Sequence, residues 1–110
     1  MTGSREHVLE FLQQLVRIDS RNPGLDPDGP GERDVALRVQ EWLRSFGWDP
    51  RLHELGDRRA NLVATRRGRG GAPSLMLNVH LDTVGVAGMA DPFSGALRDG
   101  RVYGRGAQDT

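Results

Sequence analysis

The 110-residue sequence contains no cysteine. This absence excludes disulfide bridges and thiolate metal ligands, so a strong metal site would have to use histidine, aspartate or glutamate. The sequence also lacks a net charge, because fifteen basic residues balance fifteen acidic ones. Charge alone therefore favours neither nucleic acid nor an anionic membrane as a partner.

Long apolar runs are missing as well. No stretch approaches the length of a membrane span, and the first residues contain no apolar run of the secretory type. We therefore expect a cytoplasmic protein without a membrane partner. A chain of 110 residues suits one small domain, but it is short for an enzyme that must bury a core and also enclose a substrate.

Two segments carry apolar residues at helical spacing. The first runs from Ser4 to about Ile18, with Ser4 in position to cap its N-terminus. The second begins near Glu32, whose charge suits the N-terminal end of a helix, and Gly47 is placed to cap its C-terminus. Prolines and glycines are concentrated in the intervening stretch 19–31, which predicts a loop.

The remainder of the chain has the pattern of short strands. Runs 48–54 and 61–66, separated by a polar turn, predict a hairpin, and residues 96–103 predict a second short hairpin. The most apolar run, 75–81, predicts a central strand covered on both faces by the two helices. The expected fold class is therefore α/β, with two helices packed on a mixed sheet.

His80 and Asp82 lie two residues apart at the end of the predicted central strand, so in extended geometry both side chains point the same way. Ligands tend to bind at the carboxyl ends of strands in open α/β sheets, and a carboxylate can orient an imidazole that binds a metal ion. A buried core histidine followed by a turn-forming aspartate also accounts for this pair.

A glycine-rich stretch, 104–109, is the second candidate element. Gly104 and Gly106 allow the backbone to turn closely and to deliver Asp109 from a different segment. An ordinary turn with a solvated carboxylate also accounts for this stretch when it is taken alone. The combination of both elements, in this order, is what favours a shared site.

The strings LNVHLDTV and ADPFSGALRDGRVYGRGAQD together resemble the signature region of the zinc-dependent aminoacylase and carboxypeptidase superfamily. That superfamily includes acetylornithine deacetylase, succinyl-diaminopimelate desuccinylase and glutamate carboxypeptidase. The string LVRIDSRNP, and a second helix that opens with GE and ends in FGW, are similar to the N-terminal pattern of the same family. The resemblance implies that residues 1–110 are an incomplete N-terminal part of a zinc-exopeptidase-like catalytic domain, without the lid and dimerisation domain.

The resemblance also implies roles for the candidate residues. His80 would bind one of two zinc ions, Asp109 would bridge both ions, and Asp82 would be the catalytic-site residue that holds His80 in place. Cobalt could replace zinc. Two such ions make a bound water acidic and polarise a carbonyl, so the implied reaction is hydrolysis of an amide bond in an N-acyl amino acid or small peptide.

In that family the general base is the first of two adjacent glutamates that follow the bridging aspartate. This sequence has no glutamate after Glu54, so we expect the chain to be inactive alone and, with two protein ligands, to bind metal weakly. Because the central strand would lack cover on one face, we also expect marginal stability and aggregation. The full-length form is expected to be an enzyme, and a homodimer is compatible with the family pattern.

Two other function classes stay open. The chain could be a non-catalytic remnant or an interaction module, which a stop codon directly after Thr110 would favour. A downstream glutamate pair and a late histidine would instead favour the enzyme. The arginine and glycine tract 66–71 could contact RNA phosphates, but without interleaved aromatics a solvated loop is the simpler interpretation, and no nucleic-acid partner is expected. The sequence does not separate a deacylase from a peptidase.

Overall fold

The structure, a computed structural model, describes residues 4–109. It confirms the α/β class, with two helices and two small antiparallel sheets. In chain order the elements are α1 (Ser4–Val16), α2 (Arg33–Ser45), β1 (Asp49–Gly56), β2 (Arg59–Thr65), β3 (Ala96–Arg98) and β4 (Arg101–Tyr103). None of the helices within this described part is long and apolar enough to cross a membrane.

Both predicted helices are present, and their ends follow local chemistry. Helix α1 ends at Val16, two residues before the predicted boundary, and Ser4 is its first residue. Helix α2 ends at Ser45, and Gly47, with φ of 82°, donates its N–H to the carbonyl of Arg44. This left-handed glycine satisfies a carbonyl of the last helical turn, as the sequence predicted.

The first predicted hairpin is confirmed as β1–β2. Its strands pair antiparallel, with Leu52 opposite Leu62, and they are joined by a turn in which Asp57 and Arg58 have positive φ. Ala60 of β2 is 2% exposed. Both strands contact α2, so the hairpin covers one side of that helix.

The predicted central strand at 75–81 is wrong. This segment pairs with no strand among residues 4–109, and it is exposed where burial was expected: Leu75, Met76 and Leu77 are 84–85% exposed. The physical reason is that a strand needs a hydrogen-bonding neighbour, and among residues 4–109 no strand lies alongside this segment, because the outer edges of the β1–β2 and β3–β4 hairpins are not paired with it. The expected exposed apolar surface is therefore present, on a segment outside both sheets rather than on a strand.

The second predicted hairpin is confirmed as β3–β4, with Asp99 and Gly100 in left-handed conformations at its turn. It is tied to α1 through the residues that precede it. Gln13 Nε2 donates to the carbonyl of Gly95 at 2.8 Å, and Arg17 Nε donates to the carbonyl of Ser94 at 3.1 Å. The C-terminal half of α1 and the residue that follows it therefore fix where this hairpin lies.

The buried apolar core of the described residues is small. It consists of side chains from α1, α2 and β2, none of them larger than valine, namely Val16, Val35, Ala36 and Ala60. An offset aromatic stack extends the contact between the helices, since the rings of Phe11 and Trp42 lie 4.2 Å apart. Such a core stabilises the chain modestly, because apolar burial scales with the area removed from water.

Candidate metal centre

The loop 19–31 holds the segment that carries His80 and Asp82. Thr83 donates its N–H to the carbonyl of Ser20 at 2.9 Å and accepts from the N–H of Asn22 at 2.8 Å, which forms an isolated parallel bridge. The hydroxyls of Ser20 and Thr83 are also in contact, at 3.3 Å. Both of these residues are buried, so the backbone next to Asp82 is fixed although the segment before it is exposed.

The His80 imidazole is oriented by Asp82 through two groups. Its Nδ1 lies 2.9 Å from the backbone carbonyl oxygen of Asp82 and 3.4 Å from the carboxylate Oδ1 of the same residue. The hydrogen bond to the carbonyl is the main reason that the pKa of His80 is raised, and the nearby carboxylates of Asp82 and Asp109 raise it further, while partial desolvation lowers it. A proton held on Nδ1 leaves the lone pair of Nε2 directed away from Asp82.

Asp109 approaches His80 from the other side. Its Oδ1 lies 3.5 Å from His80 Nε2, and its side chain is 97% exposed. The turn that delivers it passes close to α1, since a Cβ at Gly104 would overlap Val16 and the carbonyl of Pro92. Arg105 strengthens this placement by donating its N–H to Pro92 at 2.7 Å. Glycine is therefore required at position 104 for steric reasons.

The separation of His80 Nε2 and Asp109 Oδ1 suits two ligands of one metal ion. Ligand atoms bound at about 2.0–2.2 Å to a tetrahedral zinc ion lie about 3.4 Å from one another. The observed 3.5 Å is close to that spacing. The imidazole nitrogen and carboxylate oxygen are also the types of ligand that zinc and cobalt accept.

The site is incomplete as a metal shell. Within residues 4–109 no group of three or more histidine, aspartate or glutamate side chains is arranged to hold an ion. His53, on β1, is exposed and lies outside the site, as does the exposed tract 66–71. The structure thus brings together the three predicted residues His80, Asp82 and Asp109, and it provides two candidate ligands among them.

The residues behind Asp82 were not predicted from the sequence. Asn22 Nδ2 donates to Asp82 Oδ2 at 2.7 Å, and Arg59 Nη1 donates to Asn22 Oδ1 at 3.3 Å. Arg59 is in turn paired with the carboxylate of Glu32 at 2.6 Å, and this contact is the main reason that the pKa of Arg59 is raised. The available signal was local: asparagine before proline and glycine is typical of a side-chain-stabilised turn.

No family model matches the chain. Curated proteins do match it over nearly its whole length. The chain is 31% identical, over 99% of its residues, to a cysteinylglycine-S-conjugate dipeptidase of Corynebacterium striatum. It is 32% identical, over 92%, to a succinyl-diaminopimelate desuccinylase of Wolbachia pipientis subsp. Culex pipiens, and 29% identical, over 96%, to a probable enzyme of the same description in Staphylococcus epidermidis. The chain spans about a quarter of the length of each of these relatives.

Proposed function

This chain belongs to the aminoacylase and carboxypeptidase superfamily, and we propose on that premise that it supplies part of the active site of a metal-dependent hydrolase. The substrates of the whole protein would be N-acyl amino acids or small peptides, and the bond cleaved would be an amide. The names of the dipeptidase and desuccinylase relatives support this reaction class. The observation that carries the proposal is the 3.5 Å approach of Asp109 Oδ1 to His80 Nε2.

In this proposal His80 and Asp109 hold the metal, with zinc as the expected ion and cobalt as a substitute. His80 would bind through Nε2, because Nδ1 is engaged by Asp82. Asp109 would help to hold both ions of the pair. Two divalent cations held there would supply an acidic water and polarise the amide carbonyl.

We propose that the general base comes from outside the described residues. Glu32 is bound to Arg59, and Glu54 is bound to Arg33, so both carboxylates are engaged in ion pairs with arginine. The other three glutamates lie at exposed helical positions, namely Glu6, Glu10 and Glu41. On this basis the 110-residue chain would bind metal weakly and would not hydrolyse amides by itself.

The proposal is tested by titrating the chain with Co²⁺ and following the absorption spectrum. We expect weak binding by the parent and at least about a tenfold loss of affinity in His80→Ala and in Asp109→Ala, since even removing a hydrogen-bond partner of a ligand costs about that much. His53→Ala is the matched control, because His53 is exposed on β1, and its affinity should equal that of the parent. Parent-like affinity in both site variants would overturn the assignment.

A further inference from the structure

The side-chain amide of Asn22 has a single orientation that satisfies its neighbours. Its Nδ2 donates to Asp82 Oδ2 at 2.7 Å, while its Oδ1 accepts from the N–H of Gly24 at 2.7 Å and from Arg59 Nη1 at 3.3 Å. If the amide were flipped, its NH₂ group would face the donors of Gly24 and Arg59, and its oxygen would face the carboxylate of Asp82. Neither contact would then be a hydrogen bond. The contacts at both ends therefore fix the direction of Nδ2 toward Asp82.

The Asn22 amide is held by an ion pair between Arg59 and Glu32, which connects the loop 19–31 with β2 and with the start of α2. Arg59 begins β2 and donates through Nε to both carboxylate oxygens of Glu32, at 2.9 and 2.6 Å. The Glu32 side chain is only 10% exposed. The Arg59 side chain is 31% exposed, so the pair is partly buried and is screened less than a fully exposed pair. Asn22 is thus connected to the start of α2 and to the first hairpin.

Asp82 receives one contact on each carboxylate oxygen. Asn22 binds Oδ2, and Oδ1 lies 3.4 Å from His80 Nδ1. The backbone of Asn22 also donates to the carbonyl of Thr83, the residue that follows Asp82. Asn22 therefore restrains both the carboxylate of Asp82 and the backbone beside the carbonyl that accepts from His80.

We propose that Asn22 is a positioning residue that holds Asp82, and through Asp82 keeps the His80 proton on Nδ1 and the Nε2 atom turned toward Asp109. Its consequence for metal binding rests on the function proposed above. The part that concerns the imidazole does not, because the hydrogen bonds exist without any ion. In a neutral imidazole, the ring nitrogen that faces a hydrogen-bond acceptor carries the proton.

The test is to measure the ¹⁵N shifts of the His80 ring in the metal-free 110-residue chain, at a pH where the ring is neutral. In the parent we expect the pattern of an Nδ1-protonated ring. In Asn22→Asp the acceptor for Gly24 and Arg59 is kept, but a second carboxylate faces Asp82. The Nδ1-protonated fraction should then fall, because repulsion between the two carboxylates displaces Asp82 from the ring. Asn22→Ala, which removes the donor without adding charge, should change it in the same direction.

Asn61→Asp is the matched control, because Asn61 is exposed on β2 and the substitution is the same. It should leave the His80 shifts unchanged, and the signals of His53 should be unchanged in both Asn22 variants; in Asn61→Asp the His53 signals can shift, because Asn61 lies opposite His53 in the hairpin. Ring shifts of His80 that are equal in the parent and in both Asn22 variants would overturn the proposal. Loss of a folded spectrum in both Asn22 variants would also overturn it, because Asn22 would then be a folding residue.

Cobalt titration separates this proposal from the proposed function. If the parent binds Co²⁺ through His80, Asn22→Asp should weaken binding by less than the about tenfold that loss of a direct hydrogen-bond partner of a ligand costs, because Asn22 acts through Asp82, and Asn61→Asp should not weaken it. If the parent does not bind Co²⁺ but the tautomer of His80 still changes in the Asn22 variants, the metal function fails and the positioning role stands. If binding depends on His80 but not on Asn22, the positioning role fails.

Discussion

Replacing Gly31 by alanine is expected to destabilise the chain more than the same replacement at Gly47. Both glycines are left-handed, with φ of 84° and 82°. A Cβ at Gly47 would meet nothing within 4 Å, whereas a Cβ at Gly31 would overlap the backbone carbonyl of Arg58. The two variants therefore share the conformational cost, and only Gly31→Ala adds a collision between the loop 19–31 and the hairpin turn.

The size of the difference follows from the hydrogen bonds at the contact. A left-handed alanine costs about 1–2 kcal/mol in either variant. Relieving the collision must move either the Arg58 carbonyl or Gly31 itself. The Arg58 carbonyl accepts from the N–H of Arg33 at 3.1 Å, and the N–H of Gly31 donates to the carbonyl of Arg21 at 3.0 Å. Each such hydrogen bond contributes about 1 kcal/mol to stability. We therefore expect Gly31→Ala to be less stable than Gly47→Ala by about 1–2 kcal/mol.

Urea unfolding followed by tryptophan fluorescence measures this difference, since Trp42 stacks on Phe11 and will report loss of the helix contact. With a denaturant slope of about 1–2 kcal/mol per molar, the midpoint of Gly31→Ala should lie about 1 M below that of Gly47→Ala. A Gly31→Ala chain that is unfolded without urea, beside a Gly47→Ala chain that still shows a transition, would agree. Equal midpoints would refute the reasoning, because the loop would then not be pressed against the hairpin turn.

Two further predictions concern association and pH. Leu77 is 84% exposed, so Leu77→Glu should reduce concentration-dependent association in sedimentation experiments without lowering the urea midpoint. The control is Leu55→Glu, at a position that is 62% exposed, which should have little effect on association. Unchanged association in Leu77→Glu would contradict this prediction. The pKa of His80 is raised in the folded chain, so protonation of His80 stabilises the fold. This stabilisation is complete below about pH 6.5, the pKa in the unfolded chain, and is lost as the pH rises through the pKa in the folded chain. The urea midpoint of the parent should therefore fall relative to that of His80→Gln between about pH 6 and pH 8, and parallel profiles would count against the contacts of His80 with Asp82.

The helices and hairpins were predictable because their signals are local. Apolar spacing identified α1 and α2, and Gly47 marked the end of α2 within two residues of Ser45. A polar turn between two short runs identified the β1–β2 hairpin, with boundaries that differ from the structure by one or two residues. These features depend on the conformational preferences of neighbouring residues, and such preferences can be read from a single sequence.

The error at 75–81 has the opposite origin. Apolar composition indicates that a segment can be buried, but burial and strand pairing require a partner from elsewhere in the chain. Among residues 4–109 the only bridge to the end of this segment is the one between Arg21 and Thr83. Composition therefore showed correctly that the segment is apolar, but it led to the wrong prediction that the segment is buried in a sheet.

The sequence by itself determined the types of metal ligand, because a chain without cysteine leaves imidazole and carboxylate groups. It also placed His80 and Asp82 side by side, because a single residue separates them and alternate side chains of an extended backbone point the same way. Only the tertiary structure decided that Asp109 meets the far side of the His80 ring, and that Asn22 stands behind Asp82. Those contacts join residues 29 and 60 positions apart, and their distances depend on how the turn 104–109 and the loop 19–31 pack against the rest of the chain.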